Sequence, residues 1–323
     1  MALLRKTKHV DQNEDPYKSR YVSIPDSKES LRRKRGAEKK SRIISSLFLL
    51  PSMIGVLVFF IIPFCIVIYY SMIDNPINKD FVGFSNFVMV FKNLAFRKAA
   101  ENTMIFSLVA VPLAVLLSLF LAMALENKIP FKSQLRSFFL SPLMVPTASI
   151  VLIWQVLFHN NGTFNSILMN MGYAKIDWLN SEYAQLVIVL LFIWKNLGYN
   201  MILFMAALSS VPQALLEAAS LENASAWQVF WNVKFRYLTS TMLFVTIMSL
   251  INSFKVFKEI YLLKGDYPFE TMYMLQHFMN NTFHSLDYQK MSSAAIIMAV
   301  AMIIIIGVLF NLEAYLGRDV EGD

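Results

Sequence analysis

Pro212-Gln213-Ala214-Leu215-Leu216-Glu217-Ala218-Ala219-Ser220-Leu221-Glu222-Asn223-Ala224-Ser225-Ala226-Trp227-Gln228-Val229-Phe230 is a polar interruption between two apolar runs. Pro212 carries a φ already suited to a first helical turn, and the residues up to Leu221 are good helix formers. Asn223 tolerates the left-handed conformation that ends a helix, so a break is expected there. Ser225 followed three places on by Gln228 has the form of a capping box, which starts a second helix bearing Trp227, Phe230 and Trp231. The stretch predicts two short helices outside a bilayer, with small residues and carboxylates on one limb and aromatics on the other.

The bilayer follows from composition. At 56% hydrophobic and 16% charged residues, 323 residues hold more apolar surface than a soluble domain buries. Six apolar runs, at residues 43–70, 100–125, 138–158, 184–208, 238–263 and 291–312, are each long enough to cross. The expectation is an all-α polytopic membrane protein with a six-helix domain over residues 43–312, a basic tail at 1–42 and a short tail at 313–323. Pro51 and Pro63 are expected to kink the first span, and Pro142 and Pro146 to break the third, as is tolerated where neighbouring protein satisfies the freed backbone groups. The single Cys65 lies in an apolar run and supports neither a disulfide framework nor a cysteine metal site.

Charge orients the chain. Residues 1–42 hold 13 Lys/Arg against 6 Asp/Glu, while the remainder is balanced at 16 of each. A basic, apolar-poor tail next to a span reads as a disordered segment on anionic lipid, not as a nucleic-acid arm, and holds the N-terminus in the cytoplasm. With both termini inside, 19 basic residues fall on the cytoplasmic side and 7 outside. Most of that bias is the tail's; without it the count is 6 against 7.

Glu217-Ala218-Ala219, with Asn223 six residues after the glutamate and Val233-Lys234-Phe235-Arg236 beyond, resembles the EAA loop of binding-protein-dependent ABC importer permeases, in particular the maltose and glycerol-phosphate type carbohydrate branch. The resemblance implies the type I permease fold, with 211–236 as a cytoplasmic coupling loop seated in an ATPase subunit through Glu217, Ala218, Ala219 and Asn223. Asn223 stands where the family usually has Gly, and Phe235-Arg236 where it has Leu-Pro. A missing proline leaves the exit into the next span less bent. Further likenesses are Phe81-Val82-Gly83-Phe84-Ser85-Asn86-Phe87 after the first span, Asn102-Thr103 opening the second, Asn161-Gly162-Thr163-Phe164-Asn165 after the third and Lys264-Gly265-Asp266-Tyr267-Pro268 after the fifth. Implied partners are a second homologous permease, two ATP-binding subunits and an extracellular solute-binding protein, in a bacterial-type cytoplasmic membrane; ATP and magnesium sit on the partners, and this chain binds no cofactor or metal.

Charges inside spans cost about 2.5–3.5 kcal/mol at a helix centre, so they face a cavity or a partner. On span four, Lys195 shares a face with Tyr199, and Asn196 shares the adjoining face with Asn200. Gly198 beside them permits close backbone approach. On span five, Asn252, Lys255 and Glu259 form a second stripe in which Lys255 and Glu259 can pair. The segment 253–261 resembles a family stretch, Phe-x-x-Phe-x-x-Ile-Tyr, whose helix lines the translocation path. That resemblance makes Asn252, Ser253, Val256 and Phe257 path candidates, beside Lys195, Asn196, Tyr199 and Asn200. Helix-to-helix bonding, within this chain or to a second subunit, is the competing explanation of both stripes.

No Gly-rich loop ending in Gly-Lys-Ser/Thr is present, so the chain is not itself read as an ATPase and its energy must come from elsewhere. An ion-coupled carrier would need intramembrane acids, and Glu259 is the only acid in a span interior, near an outer end and next to lysines. A membrane-embedded enzyme would need a catalytic cluster at depth, and none is found. His9, His159, His277 and His284 are scattered over the tail and external segments. The sequence therefore reads as an importer subunit forming half of a sugar or oligosaccharide pathway.

Overall fold

The computed structural model describes residues 46–126 and 130–316. The basic tail, Lys128 and Arg318 fall outside them. The chain divides within its first helix, α1 (Ser46–Ser71), between Phe64 and Cys65. In the first unit α1 runs through Pro51 in α geometry and widens into a π-turn at Leu57–Ile61, where the Ile62 N–H reaches back to Leu57 O. Widening the turn before Pro63 accommodates a residue that cannot donate and whose ring crowds the preceding turn.

The second unit continues with α2 (Ser85–Lys92), α3 (Leu94–Glu126), α4 (Lys132–Met144), α5 (Thr147–Phe158) and α6 (Thr163–Asn170). Then come α7 (Ala184–Ser209), α8 (Gln213–Leu221), α9 (Ala226–Val229), α10 (Phe235–Phe254), α11 (Phe257–Lys264), α12 (Leu275–His284) and α13 (Tyr288–Leu316). Five helical runs among the described residues are long and apolar enough to cross a membrane: α1, α3, α7, the run Ala226–Lys264, and α13. A bent pair, counted as one broken span, makes a sixth. Its limbs, α4 and the segment Thr147–Asn170, meet at 101°. The break expected in this segment falls at Pro146, because Val145 before it is driven extended (φ −87°, ψ 132°). Pro142 makes no break. The Phe138 carbonyl that its missing N–H leaves free accepts from Ser141 Oγ at 2.8 Å.

Helix α7 is the hub. On one side α3 presents buried small residues, Ala110, Ala114, Ser118 and Ala122, at helical spacing, and Ser118 Oγ comes within 3.1 Å of Leu197 O. On a second side Gly198 meets α4, where an added Cβ would lie 1.9 Å from Phe139 O. The third side faces α10. Small residues are needed because lipid offers no hydrophobic drive between helices, leaving close packing and hydrogen bonds to hold them.

Away from α8, buried amides fasten the segments between spans. Asn86 Nδ2 donates to Ser71 O and Ile73 O; Asn102 Nδ2 donates to Glu270 O and Tyr273 O. Asn165, fully buried, bonds the backbone at Asn160 and Ile176 and the Trp178 indole. Asn86, Asn102 and Asn165 all belong to the short motifs noted in the sequence, and in each the asparagine serves backbone groups. His277 on α12 is buried, accepts the Met274 N–H on Nδ1 and packs against Phe257 at 4.6 Å between ring centroids. Burial lowers its pKa to about 4.

Two expectations follow. Gly198→Leu should drive α4 off α7 and destabilise the detergent-solubilised protein by about 3 kcal/mol or more, with Gly198→Ala costing less, as read by thermal unfolding. His277 is held neutral in the fold, so its contribution is complete above its ordinary pKa of 6.5 and drains as pH falls toward 4. The expected loss is about 1.4 kcal/mol per pH unit across that window, and His277→Phe should flatten the slope by one proton.

Candidate functional site

The break in span five builds the site. Helix α10 ends at Phe254; Lys255 adopts φ −84°, ψ −2°, and α11 starts afresh at Phe257. Around this break, between α7 and the Val145 corner, lies a cavity of about 360 Å³. Its wall brings together Lys195, Asn196 and Tyr199 from α7 with Asn252, Lys255, Val256, Lys258 and Glu259 from the broken helix, and Leu143 and Thr147 from the bent pair. Phe192 and Leu191 complete it.

Two cross-helix bonds hold the walls. Lys195 Nζ pairs with Glu259 and stands 3.5 Å from Thr147 Oγ1. Asn252 Nδ2 donates to Asn196 Oδ1 at 3.0 Å, while Asn196 Nδ2 donates to Phe192 O. The expected Lys255–Glu259 pair does not form, because the helix break between them destroys the four-residue register that pairing requires. Glu259 is almost fully buried (side chain 8% exposed) and Lys195 less so (28%).

Three candidates lie outside the cavity. Asn200 is buried and donates to Ser249 Oγ at 2.9 Å. Ser253 donates to Leu250 O and accepts from Ser107 on α3 at 2.8 Å. Phe257 packs on His277 and Tyr261. Asn200 and Ser253 thus bond helix to helix. Lys258, Thr147 and Leu143 line the wall and were not singled out from sequence; the α4–α5 corner that brings Thr147 in depends on which of two prolines breaks the helix. The Lys195–Glu259 pair was within reach, since Glu259 was the one acid available to a mid-span lysine.

A second candidate surface is the stub α8–α9, whose second limb runs by continuous helix toward the cavity wall. Pro212 is the N-cap rather than the first helical residue, with its carbonyl accepting the Leu215 N–H. Helix α8 ends as a Schellman motif: Asn223 takes φ 52°, and the Ala224 N–H returns to Ala219 O. Ser225 and Gln228 form the reciprocal capping box. The second limb is not a separate helix outside the spans. It runs through a π-turn, Phe230–Lys234, into α10, because no proline stands at 235–236 to stop it. Lys234 within that turn bonds Glu126 at the end of α3 at 2.6 Å. Glu217 and Ala218 are exposed and Ala219 partly so; Leu221 (85%) and Trp227 (70%) stand out.

A model of the family described as "binding-protein-dependent transport system inner membrane component" matches residues 114–322. The chain is 29% identical over 287 residues to the sn-glycerol-3-phosphate transport system permease protein UgpA of Rhizobium meliloti (strain 1021), covering 87% of this chain and 96% of that one. It is 32% identical over 228 residues to the trehalose/maltose transport system permease protein MalF of Thermococcus litoralis, covering 69% and 77%. In fold it matches a chain of a bacterial alginate ABC transporter crystallised in complex with an alginate pentasaccharide-bound periplasmic protein, with a TM-score of 0.77 at 20% identity, over 87% of this chain and 98% of that one.

Removing one partner of the buried pair leaves the other charge stranded. Glu259→Gln should cost about 2–3 kcal/mol in thermal unfolding, less than for a fully buried pair because Lys195 keeps access to the cavity. Lys195→Met combined with Glu259→Leu should recover most of that loss.

Proposed function

This chain belongs to the binding-protein-dependent transport system inner membrane component family, and from that premise we propose that it forms one half of a saccharide pathway whose other half is a second, homologous permease. It is a multi-pass membrane permease and not an enzyme. Two ATP-binding subunits supply the work, with ATP and magnesium bound there and not here, and an extracellular solute-binding protein delivers cargo. Both termini lie in the cytoplasm, which puts α8 on the ATPase side.

The carrying observation is mechanical continuity. Helix α8 leaves α7 after a three-residue corner, Ser210-Val211-Pro212, and α9 runs without a stop into α10, so both limbs of the stub are attached to helices that wall the cavity. Capping at Asn223 and Ser225 makes the stub stiff, and the Lys234–Glu126 bond adds α3 to the same base. A partner that seats Leu221 and Trp227 and closes on ATP would move α7 and α10 together, opening the cavity alternately to either side. Inside, Tyr199 and Phe192 offer aromatic faces to sugar rings, and Asn196 and Asn252 offer amides to hydroxyls. An ion-coupled carrier is disfavoured, since Glu259 is already committed to Lys195.

Charge reversal at the stub tests this. Glu217→Lys should lower ATP-dependent uptake at least tenfold and weaken ATPase co-purification, while leaving thermal unfolding of the permease unchanged. Orientation is tested separately in a Cys65→Ser background. A membrane-impermeant maleimide applied to intact cells should label Tyr267→Cys and spare Leu221→Cys; the reverse pattern overturns the assignment.

A further inference from the structure

The cavity wall carries three lysines and one carboxylate. Glu259 is taken by Lys195. Lys255 and Lys258 are exposed at the cavity, and neither ammonium has a hydrogen-bond or ion-pair partner among the described residues. Their depth follows from the cross-helix bonds. Lys195 and Asn196 sit near the middle of α7, about 17 Å along the helix from Ala184 and about 20 Å from Ser209. Asn252 and Glu259 are bonded to that level, and Lys255 and Lys258 lie between them in sequence.

We propose that the cargo is an anionic saccharide, bearing carboxylate or phosphate, and that Lys255 and Lys258 meet its charge. The inference rests on the reading of the chain as an importer subunit. A neutral sugar would leave two ammonium groups without a counter-charge once the cavity closes and bulk water is expelled, whereas an acidic cargo supplies the missing charge. Breaking the helix at Lys255 suits this role, since it turns adjacent positions of one helix toward the same space.

The test uses the complete importer, with its partner permease, ATPases and binding protein, in proteoliposomes. It is given a mixed panel of neutral, uronate-containing and phosphorylated saccharides, and the accumulated species are identified by mass spectrometry. The expected result is ATP-dependent accumulation of a carboxylated or a phosphorylated member, the two arms telling which. Lys255→Gln with Lys258→Gln should lower that uptake at least tenfold, and arginine at both positions should retain most of it. Accumulation of a neutral saccharide overturns the proposal, as does acidic uptake at an unchanged rate in the glutamine variant. Loss of the partner permease from that variant on gel filtration also overturns it, by assigning the lysines to a subunit interface. Absence of ATP-dependent accumulation across the whole panel would instead sink the importer reading itself.

Discussion

A hydrocarbon layer supplies no water, so each polar group placed at depth must find its partner on another helix. That constraint organises the molecule. Lys195 with Glu259, Asn196 with Asn252, Asn200 with Ser249, Ser107 with Ser253 and Ser118 with the Leu197 carbonyl all join α3, α7 and the broken helix α10–α11. Dispersion along the small-residue face of α3 brings the helices near, and these bonds fix their rotation and register. A one-residue slip of α7 would leave several polar groups unmatched at once.

What could be read from the sequence was local. The Asn223 stop and the Ser225–Gln228 box depend on neighbours within a few residues, and both formed. The apolar runs depend on composition alone, and each falls on a long apolar helix or, for the third, on the bent pair, with ends extending beyond the apolar core in α3, before α10 and on both limbs of that pair. Gly198 announced a close approach, and Phe139 makes it. Misreadings came where a second helix decides. Pro142 and Pro146 look alike in sequence, yet Ser141 satisfies the carbonyl exposed by the first while the second forces Val145 extended. Lys255 and Glu259 have ideal helical spacing, but the helix does not persist between them. Asn200 and Ser253 carry the chemistry of a sugar site and bond neighbouring helices in this structure, the competing explanation weighed for both stripes.

The pairs also divide labour by position. Those facing α3 are closed, hydroxyl to hydroxyl or hydroxyl to carbonyl, and leave nothing free for a solute. Those facing the α4–α5 corner are half open. Among the described residues Asn252 Oδ1, the Tyr199 hydroxyl and the two lysine ammonium groups have no hydrogen-bond partner, so the surface that could exchange bonds with cargo lies on one side of the hub. The right-angled third span is what leaves room there, because a straight helix at that place would fill it.

The π-turn at Phe230–Lys234 holds one more residue than an α-turn would, and each residue of an α-helix advances the azimuth by about 100°. Excising a single amino acid from that loop would leave a smooth rod and a wrongly aimed one, with the amide and ammonium groups farther along swung away from the lumen.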